Sequence, residues 1–326
     1  MTEATYDILG IGNAIVDVVA RADEAFLSRH DMHKGAMQLI DSATADALYA
    51  AMPPGIESSG GSVANTCAVA AGLGARVAYI GKVAGDQLGI VFRHDIDAVG
   101  VHFPTAALSG GAPTARCLIL VTPDGQRTMN TFLGACVTLT AADVDPALVA
   151  ASEVTYLEGY LFDPPEAQAA FKKAAAHAHA ASRQVALSLS DAFCVNRHRA
   201  AFLDLVANHV DILFANEAEI TALYERNTFE EAAEAARKDV ALAVLTRSES
   251  GSLILRGTET VKIAAEPARV VDTTGAGDAY AAGFLAGFTS GKSLEICGRM
   301  GSIAAAEIIG HYGARPEADL RQLMPV

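Results

Sequence analysis

The run Asp272-Thr-Thr-Gly-Ala-Gly-Asp278 and the small-residue stretch Ala279-Tyr-Ala-Ala-Gly-Phe284 behind it hold the densest chemistry in the chain. Gly275 and Gly277 bracket Ala276 and let backbone N–H groups converge where a helix begins, and the positive end of that helix favours an anion. A carboxylate at the same place repels a phosphate unless it works as a general base. Phosphoryl transfer supplies that work: Asp278 takes the proton of a substrate hydroxyl while the glycyl N–H groups stabilise charge on the moving phosphoryl group. The same residues also read as a tight turn with Asp278 as a helix cap.

A second cluster, Ser58-Ser-Gly-Gly-Ser-Val-Ala-Asn65, opens an Ala-rich helix that runs to Leu73. Gly60 and Gly61 let a polar ligand approach the backbone beside Ser62, and Asn65 supplies a donor and an acceptor one turn later. A plain N-cap after a loose loop fits the same residues. Asn13 and Asp17 are polar positions in an apolar neighbourhood, and an Asp within a strand is costly unless it is paired or binds a ligand hydroxyl. Asn216-Glu-Ala-Glu219 follows the apolar run from Ile212 to Phe214, where carboxylates at a strand end could hold waters on Mg2+. A solvated first helical turn with favourable acids reads equally well. Gly10-Ile-Gly12 lacks the third glycine of a dinucleotide loop, Ile15 standing there, and a strand-like run follows it instead of a helix. His177 and His179, two apart on a helical stretch, face different sides and cannot share a metal, so they read as surface residues.

Elements of two textures must position these residues. Short β-like runs dominate the first part: Asp7 to Gly12, Ile15 to Ala20, Met37 to Ile40, Val77 to Ile80, Thr114 to Val121 and Thr128 to Phe132. The last two are joined by Thr122-Pro-Asp-Gly-Gln126, a hairpin turn in which Pro fixes φ and Gly accepts a positive one. From about residue 140, apolar strands alternate with Ala-rich helices. Val154 to Leu157, Val185 to Ser188, Ile212 to Ala215 and Leu242 to Thr246 are runs of the kind buried on both faces of a parallel sheet. Helical stretches at Glu166 to Ser182, Arg197 to Asn208 and Glu230 to Asp239 separate them, so a doubly wound α/β layer is expected. A hairpin at Ser252 to Leu255 and Thr260 to Ile263 and two helices, Ala276 to Gly287 and Leu294 to Gly310, complete the pattern. No repeat or linker divides the 326 residues, which read as one α/β domain with a small accessory sheet.

Composition excludes several classes. With 24 Lys and Arg against 38 Asp and Glu, the formal charge is −14, the wrong sign for a nucleic-acid binder. Hydrophobic residues at 51% and charged ones at 19% exclude intrinsic disorder. Met1 to Asp7 shows no leader pattern, and the longest mostly apolar stretch, Ala279 to Phe288, is about half of the ~20 residues a bilayer span needs. Five scattered cysteines without a C-x-x-C pair read as reduced thiols of a cytoplasmic protein.

Taken in order, Gly60-Gly-Ser-Val-Ala-Asn65, Gly81-Lys-Val-Ala-Gly-Asp86-Gln-Leu-Gly89, Asn216-Glu-Ala-Glu219 and Asp272-Thr-Thr-Gly-Ala-Gly-Asp278 resemble the ribokinase-like (PfkB) carbohydrate and nucleoside kinases over nearly the whole chain. Gly10-Ile-Gly-Asn-Ala-Ile-Val-Asp17, Leu133-Gly-Ala-Cys136, Leu187-Ser-Leu-Ser190 and Val210-Asp-Ile-Leu-Phe-Ala-Asn216 are most similar to the adenosine kinases among them. The resemblance implies a doubly wound, mostly parallel sheet with a small β-sheet lid built within about 13–40 and 101–133. It implies Asp278 as catalytic base, Gly275, Ala276 and Gly277 as anion hole, and Arg127 as a lid arginine near the transferring phosphate. Asn13, Asp17, Gly60, Gly61, Ser62 and Asn65 would hold sugar hydroxyls. Leu133 and Ala135 would line an apolar base pocket with Gln38 and Leu39 above it. Asn216 and Glu219 would place Mg2+ and phosphate, Glu219 through water, and Thr246, Ser248 and Gly251 would border ATP. Asp272 and Thr274 match a monovalent-cation site, K+ in some relatives. Glu158 departs from the adenosine-kinase pattern and would suit a sugar hydroxyl, which keeps ribose, fructose, inosine or guanosine open as acceptors. A lid edge that pairs with a second copy or is covered by a loop leaves monomer and homodimer both open.

Overall fold

Alternation of apolar strands with Ala-rich helices yields two sheets in the computed structural model, which describes residues 4–325. The expectation of no N-terminal leader falls in part on residues 1–3, outside the described residues. Strand β1 (Tyr6–Ile11) is followed by strand β2 (Ile15–Arg21), then by α1 (Glu24–Arg29), β3 (Met37–Leu39), α2 (Ser42–Ala51) and β4 (Ile56–Gly60). Next come α3 (Ser62–Gly72), β5 (Val77–Ile80), α4 (Gln87–Ala98), β6 (Val101–His102) and the hairpin of β7 (Ala115–Val121) and β8 (Arg127–Phe132). Helices and strands then alternate through α5 (Pro146–Ala150), β9 (Ser152–Glu158), α6 (Pro165–Ala180), β10 (Gln184–Ser188), α7 (Ala192–His209) and β11 (Ile212–Asn216), and a helix pair, α8 (Glu217–Tyr224) and α9 (Phe229–Asp239), leads to β12 (Leu242–Thr246). The chain closes with β13 (Ser252–Arg256), β14 (Glu259–Ile263), α10 (Ala276–Thr289) and α11 (Leu294–Ile308).

The large sheet runs β14-β13-β12-β11-β10-β9-β1-β5-β6, parallel except for the β13 and β14 pairings. Its inner strands are largely apolar because helices cover both faces, all four residues of β5 being buried, whereas the edge strand β14 is mostly exposed. On one side α6 turns Ala167, Ala170, Phe171, Ala174 and Ala178 inward at helical spacing, and small side chains let the helix lie close. On the other side lie α3, α10 and α11. Truncating a wholly buried ring such as Phe171 to Ala costs about 3–5 kcal/mol through lost transfer energy and the cavity left behind. The chain runs outward in both directions from β1, whose neighbours are β5 and β9. Ligands of open α/β sheets bind beyond the carboxyl ends of strands at such a point of reversal.

The small sheet runs β3-β8-β7-β2-β4. Its hairpin turns at Thr122–Gln126, where the Thr122 N–H donates to the Gln126 carbonyl at 2.9 Å and Gly125 has φ +84°. Residues of alternate parity face opposite ways. Val16, Val18, Leu118 and Leu120 bury one face with Phe26 of α1 and Leu48 of α2. Asp17, Cys117, Thr131 and Leu39 share a row on the other. Helices α1, α2 and α4 and strand β4 are absent from the sequence-based reading. Asp86 of the Gly81–Gly89 motif explains α4: its carboxylate caps the helix at the Gly89 N–H (2.8 Å) and accepts from Thr114 N (2.8 Å) and Oγ1 (2.6 Å), tying α4 to the start of β7.

Candidate active site

Asp278 is the third residue of α10, whose N-cap is Gly275, in the left-handed region at φ +77°. A side chain there would also meet Ala314, its Cβ 2.6 Å away, so Gly275 is required twice over. A glycine N-cap offers no side-chain acceptor, and the first-turn N–H groups of Gly277 and Asp278 have no intrahelical partner. A Cβ on Gly277 would meet nothing within 4 Å, so the backbone there is open to a ligand.

The two glycine clusters, some 215 residues apart in sequence, meet at this carboxylate. Ser62 Oγ donates to Asp278 Oδ1 at 2.6 Å, Asn65 Nδ2 to Oδ2 at 3.4 Å, and Thr66 Oγ1 to the Asp278 carbonyl at 3.2 Å. Gly61 caps α3 at φ +100° with its α-carbon against the Asn13 carbonyl, and Gly60 lies against the Asp17 carboxylate. Asn13 is 3% exposed and its Oδ1 has no partner, an acceptor left free in a buried place. Burial pushes Asp278 up to about 6, opposed by the bonds from Ser62 and Asn65 and by the charge of Arg315. Burial likewise takes Asp17 to about 6 against Arg315 and Arg127, with Asp278 adding to the rise.

Glu158 ends β9 directly beneath Asn13. It is 1% exposed, accepting from Asn13 Nδ2 at 2.7 Å and from Val63 N at 3.0 Å, so both oxygens hold protein groups. Burial raises it to about 7 despite those bonds. Gly12 makes room for it: a Cβ there would stand 2.3 Å from Oε2, which gives Gly10-Ile-Gly12 a packing role and not a nucleotide one.

Arg127 sits on the Asp17 face of the small sheet, and its Nη1 pairs with Asp272 Oδ2 at 2.8 Å, both side chains nearly buried. Asp272 also accepts from Thr274 N (3.1 Å), Thr274 Oγ1 (2.8 Å) and Gly313 N (3.2 Å). In this arrangement Asp272, expected with Thr274 beside a monovalent cation, has the Arg127 guanidinium as its cationic partner.

Asn216 and Glu219 form a closed capping box: the Asn216 N–H and Nδ2 donate to Glu219 at 2.9 and 2.6 Å, and Glu219 N donates back to Asn216 Oδ1 at 2.9 Å. Glu219 is 5% exposed and burial raises it to about 7, with Asp191 and Asp278 adding to the rise. Asn216 pairs in register with Thr246, and the tight turn through Ser248 (φ +49°) and Gly251 follows, bridged from Arg247 to Glu217 at 3.1 Å. Among the described residues no group of three or more His, Cys, Asp or Glu could hold a metal ion.

Gln38 overturns its expectation. It shares a row with Asn130 and Leu118, donating to Asn130 Oδ1 at 2.7 Å, and so faces away from Asp17, whereas Leu39 faces toward it. Leu133 is half-buried and Ala135 wholly buried at the end of β8 where β2 and β4 also enter. Sequence reasoning missed Thr66 and Arg315. A lone cation in Tyr312-Gly-Ala-Arg-Pro316 has no periodicity to betray it; the flanking Gly and Pro are its one signal. A cavity of about 660 Å3 between α1, the β7–β8 turn and Tyr312 contains none of the expected site residues. All five cysteines are buried free thiols, and His179 pairs with Asp211 at the surface.

Known proteins agree with this geometry. An adenosine kinase structure from Sinorhizobium meliloti is 54% identical, with TM-score 0.90 over 98% of both chains. A probable sugar kinase structure from Rhizobium etli is 48% identical, also with TM-score 0.90 over 98% of both chains. Adenosine kinase of Saccharomyces cerevisiae is 29% identical over 95% of this chain and 96% of its own. The pfkB family carbohydrate kinase model matches residues 55–320, a span that takes in both the loop opening α3 and Asp278. A phosphotransferase with an alcohol acceptor accounts for an anion-binding helix start with a carboxylate inside it, and the chain belongs to the pfkB carbohydrate kinase family.

Proposed function

We propose that the protein is a cytoplasmic ATP-dependent adenosine kinase that moves the γ-phosphoryl group to the 5′-hydroxyl, giving AMP and ADP. The observation that carries this reading is Asp278 held by Ser62 and Asn65 of the acceptor loop at the mouth of an uncapped helix. The hydroxyl loses its proton to Asp278 as its oxygen bonds to the γ-phosphorus, and the bridging oxygen leaves with ADP. Of the expected Gly275, Ala276 and Gly277 hole, the Ala276 N–H is taken by the Thr273 carbonyl at 3.2 Å, and the N–H groups of Gly277 and of Asp278 after it serve the charge that develops. Asn13 Oδ1 and Asp17 accept from sugar hydroxyls, and the small sheet acts as a lid that excludes water. Arg127 reaches the phosphate by exchanging Asp272 for it.

The donor set suits a magnesium ion that arrives with the nucleotide, because such ions keep several waters and take one or two carboxylates besides phosphate oxygens. Glu219, both of whose oxygens already accept from Asn216, would hold it through water. When bound, the ion neutralises charge on the phosphate oxygens.

For the acceptor, Glu158 matters most. Each of its oxygens already accepts from Asn13 or Val63, which speaks against its serving a free sugar, while half-buried Leu133 and Leu39 on the Asp17 side offer apolar surface for a purine. Likeness to the Rhizobium etli probable sugar kinase favours a second reading, a sugar kinase on the same machinery. ATP consumption with Mg2+ across adenosine, inosine, guanosine, ribose and fructose decides. Preferential turnover of adenosine is expected, and turnover of a free sugar alone overturns the substrate.

A further inference from the structure

The turn that follows α11 touches the β7–β8 hairpin, the loop that opens α10 and the loop that opens α3. Tyr312 packs against the β7–β8 turn, its hydroxyl 2.2 Å from where a Cβ on Gly125 would lie. Gly313 donates to Asp272, and Ala314 lies against Gly275. Arg315 Nη2 donates to the Ser59 carbonyl and to Ser59 Oγ at 2.8 Å each, and Nη1 to the Ala64 carbonyl at 3.4 Å. Glu307 pins the turn: its Oε1 accepts from the Glu317 and Ala318 N–H groups at 2.9 Å, and its Oε2 meets His311 Nε2 at 3.2 Å.

Three neutral oxygens take the hydrogen bonds of Arg315; the nearest acid to it is Asp95 of α4, which accepts from the N–H of the same Ser59 at 2.7 Å and acts on the guanidinium ahead of Asp17 and Asp278. Arg127, the other guanidinium near Asp17, is already paired with Asp272. Groups that face Asp278 come from every side: Ser62, Asn65 and Thr66 from α3, Tyr156 and Glu158 from β9, Tyr160 beyond it, Glu219 from α8, Asp17 from β2 and Arg315 from the turn. The charged members are acids, Arg315 excepted. Two carboxylates enclosed together cannot both stay ionised unless a positive charge offsets them.

We propose that Arg315 is a positioning residue for phosphoryl transfer, clamping the acceptor loop to the C-terminal turn and supplying the fixed positive charge that lets Asp17 and Asp278 be ionised together. This rests on Asp278 being the base. Burial opposes ionisation of both, and the charge of Arg315 acts against burial at each. The clamp also spans the site, since the same five-residue turn holds the lid hairpin, the anion loop and the acceptor loop.

The test is the pH dependence of kcat/KM from pH 5 to 8.5 for parent, Arg315→Gln, Arg315→Lys and Asp278→Asn, with whichever acceptor of the panel the parent turns over best. Arg315→Gln is expected to move the acidic limb upward by about one pH unit. Arg315→Lys keeps the charge but not the forked clamp, so its limb stays within about 0.3 unit of the parent while acceptor KM rises severalfold. An unmoved limb in the Gln variant, or a Lys limb displaced as far as that of Gln, overturns the proposal. Should the Gln variant not fold, the Lys profile decides alone: an unmoved limb with raised KM supports the role, and a limb displaced by about one unit ends it. Substantial turnover in Asp278→Asn would remove the base reading itself, whereas an inert Asp278→Asn beside an unmoved Arg315→Gln limb removes only the role of Arg315.

Discussion

At two helix starts of this protein the third residue is a carboxylate whose pKa burial raises, Glu219 in α8 and Asp278 in α10. Their first turns are otherwise opposite. At α8 the N-cap is Asn216, and cap and carboxylate satisfy each other in a closed box. At α10 the N-cap is Gly275, the N–H groups of Gly277 and Asp278 have no partner within the helix, and the carboxylate turns outward to Ser62 and Asn65 of another segment. A helix start that spends its polar groups on itself can meet a ligand only through water. One that leaves its donors open and draws its acid toward groups from afar is built for a ligand.

The largest effect that could break this contrast is at Asp278. Replacing it with Asn keeps shape but removes the proton acceptor, and turnover is expected to fall by about 10²–10⁴-fold. An amide also avoids the cost of an enclosed charge, so the melting temperature at pH 8 should be no lower than that of the parent. Steady-state ATP consumption and a thermal melt read both; retained turnover would reduce Asp278 to a second scaffold acid.

Next in size is pH. Asp17 and Asp278 at about 6, and Glu158 and Glu219 at about 7, bind protons more readily folded than unfolded. The sign follows: the stability they contribute is full below their unfolded values near 4 and is lost as pH rises through 6 to 7. Asp41, Asp86, Asp124, Asp204 and Asp319 are lowered instead, and their contribution is lost only as pH falls below about 4. Activity needs Asp278 ionised and should decline about tenfold per pH unit below 6. The ligand-free protein therefore melts higher at pH 5.5 than at pH 8 while working more slowly there. Parallel melts and rates across that range check it, and a melting temperature that falls together with the rate would contradict the raised values.

A smaller effect is expected at α8. Glu219→Gln keeps the backbone half of the capping box, since an amide oxygen still accepts the Asn216 N–H, but loses the charge and the bond from Asn216 Nδ2. Turnover at saturating Mg2+ should stay within about tenfold of the parent, with a higher Mg2+ requirement, if Glu219 reaches the ion through water. A titration of rate against Mg2+ tests this; a loss as deep as that of Asp278→Asn would place both helix starts in the chemistry.

Much of this was legible in the chain. The strands of the large sheet read as apolar runs because both their faces are covered, and the Gly-Ala-Gly-Asp turn announced α10 through residues no other conformation needs. The small sheet was harder. Strand β3 is exposed at all three positions and β4 is largely Ser and Gly, so neither carries the period-two pattern of a half-buried strand. Gln38 was misplaced for the same reason: facing depends on parity, and the parity of a strand without pattern is set by its neighbour β8. Arg315 was invisible because a clamp made to two backbone carbonyls and a hydroxyl leaves no trace in residue type.

The smallest effect sharpens the contrast most, because it asks what a closed helix start contributes when its cap is gone. Asn216→Ala removes the acceptor for the Glu219 N–H and the donor to Glu219 Oε1 and leaves the acid buried with one backbone partner. Loss of an Asn cap costs about 1 kcal/mol. In a chain of this length that lowers the melting temperature by about 2 °C, so the measurement needs replicate melts at one protein concentration. The drop should deepen from pH 6 to pH 8, because Glu219, raised to about 7 even with the box intact, then ionises without the Asn216 amide to receive it. A penalty equal at both pH values would mean that Glu219 carries no proton-linked cost. The box would then be a cap like any other, and its likeness to the start of α10 would end at the position of the acid.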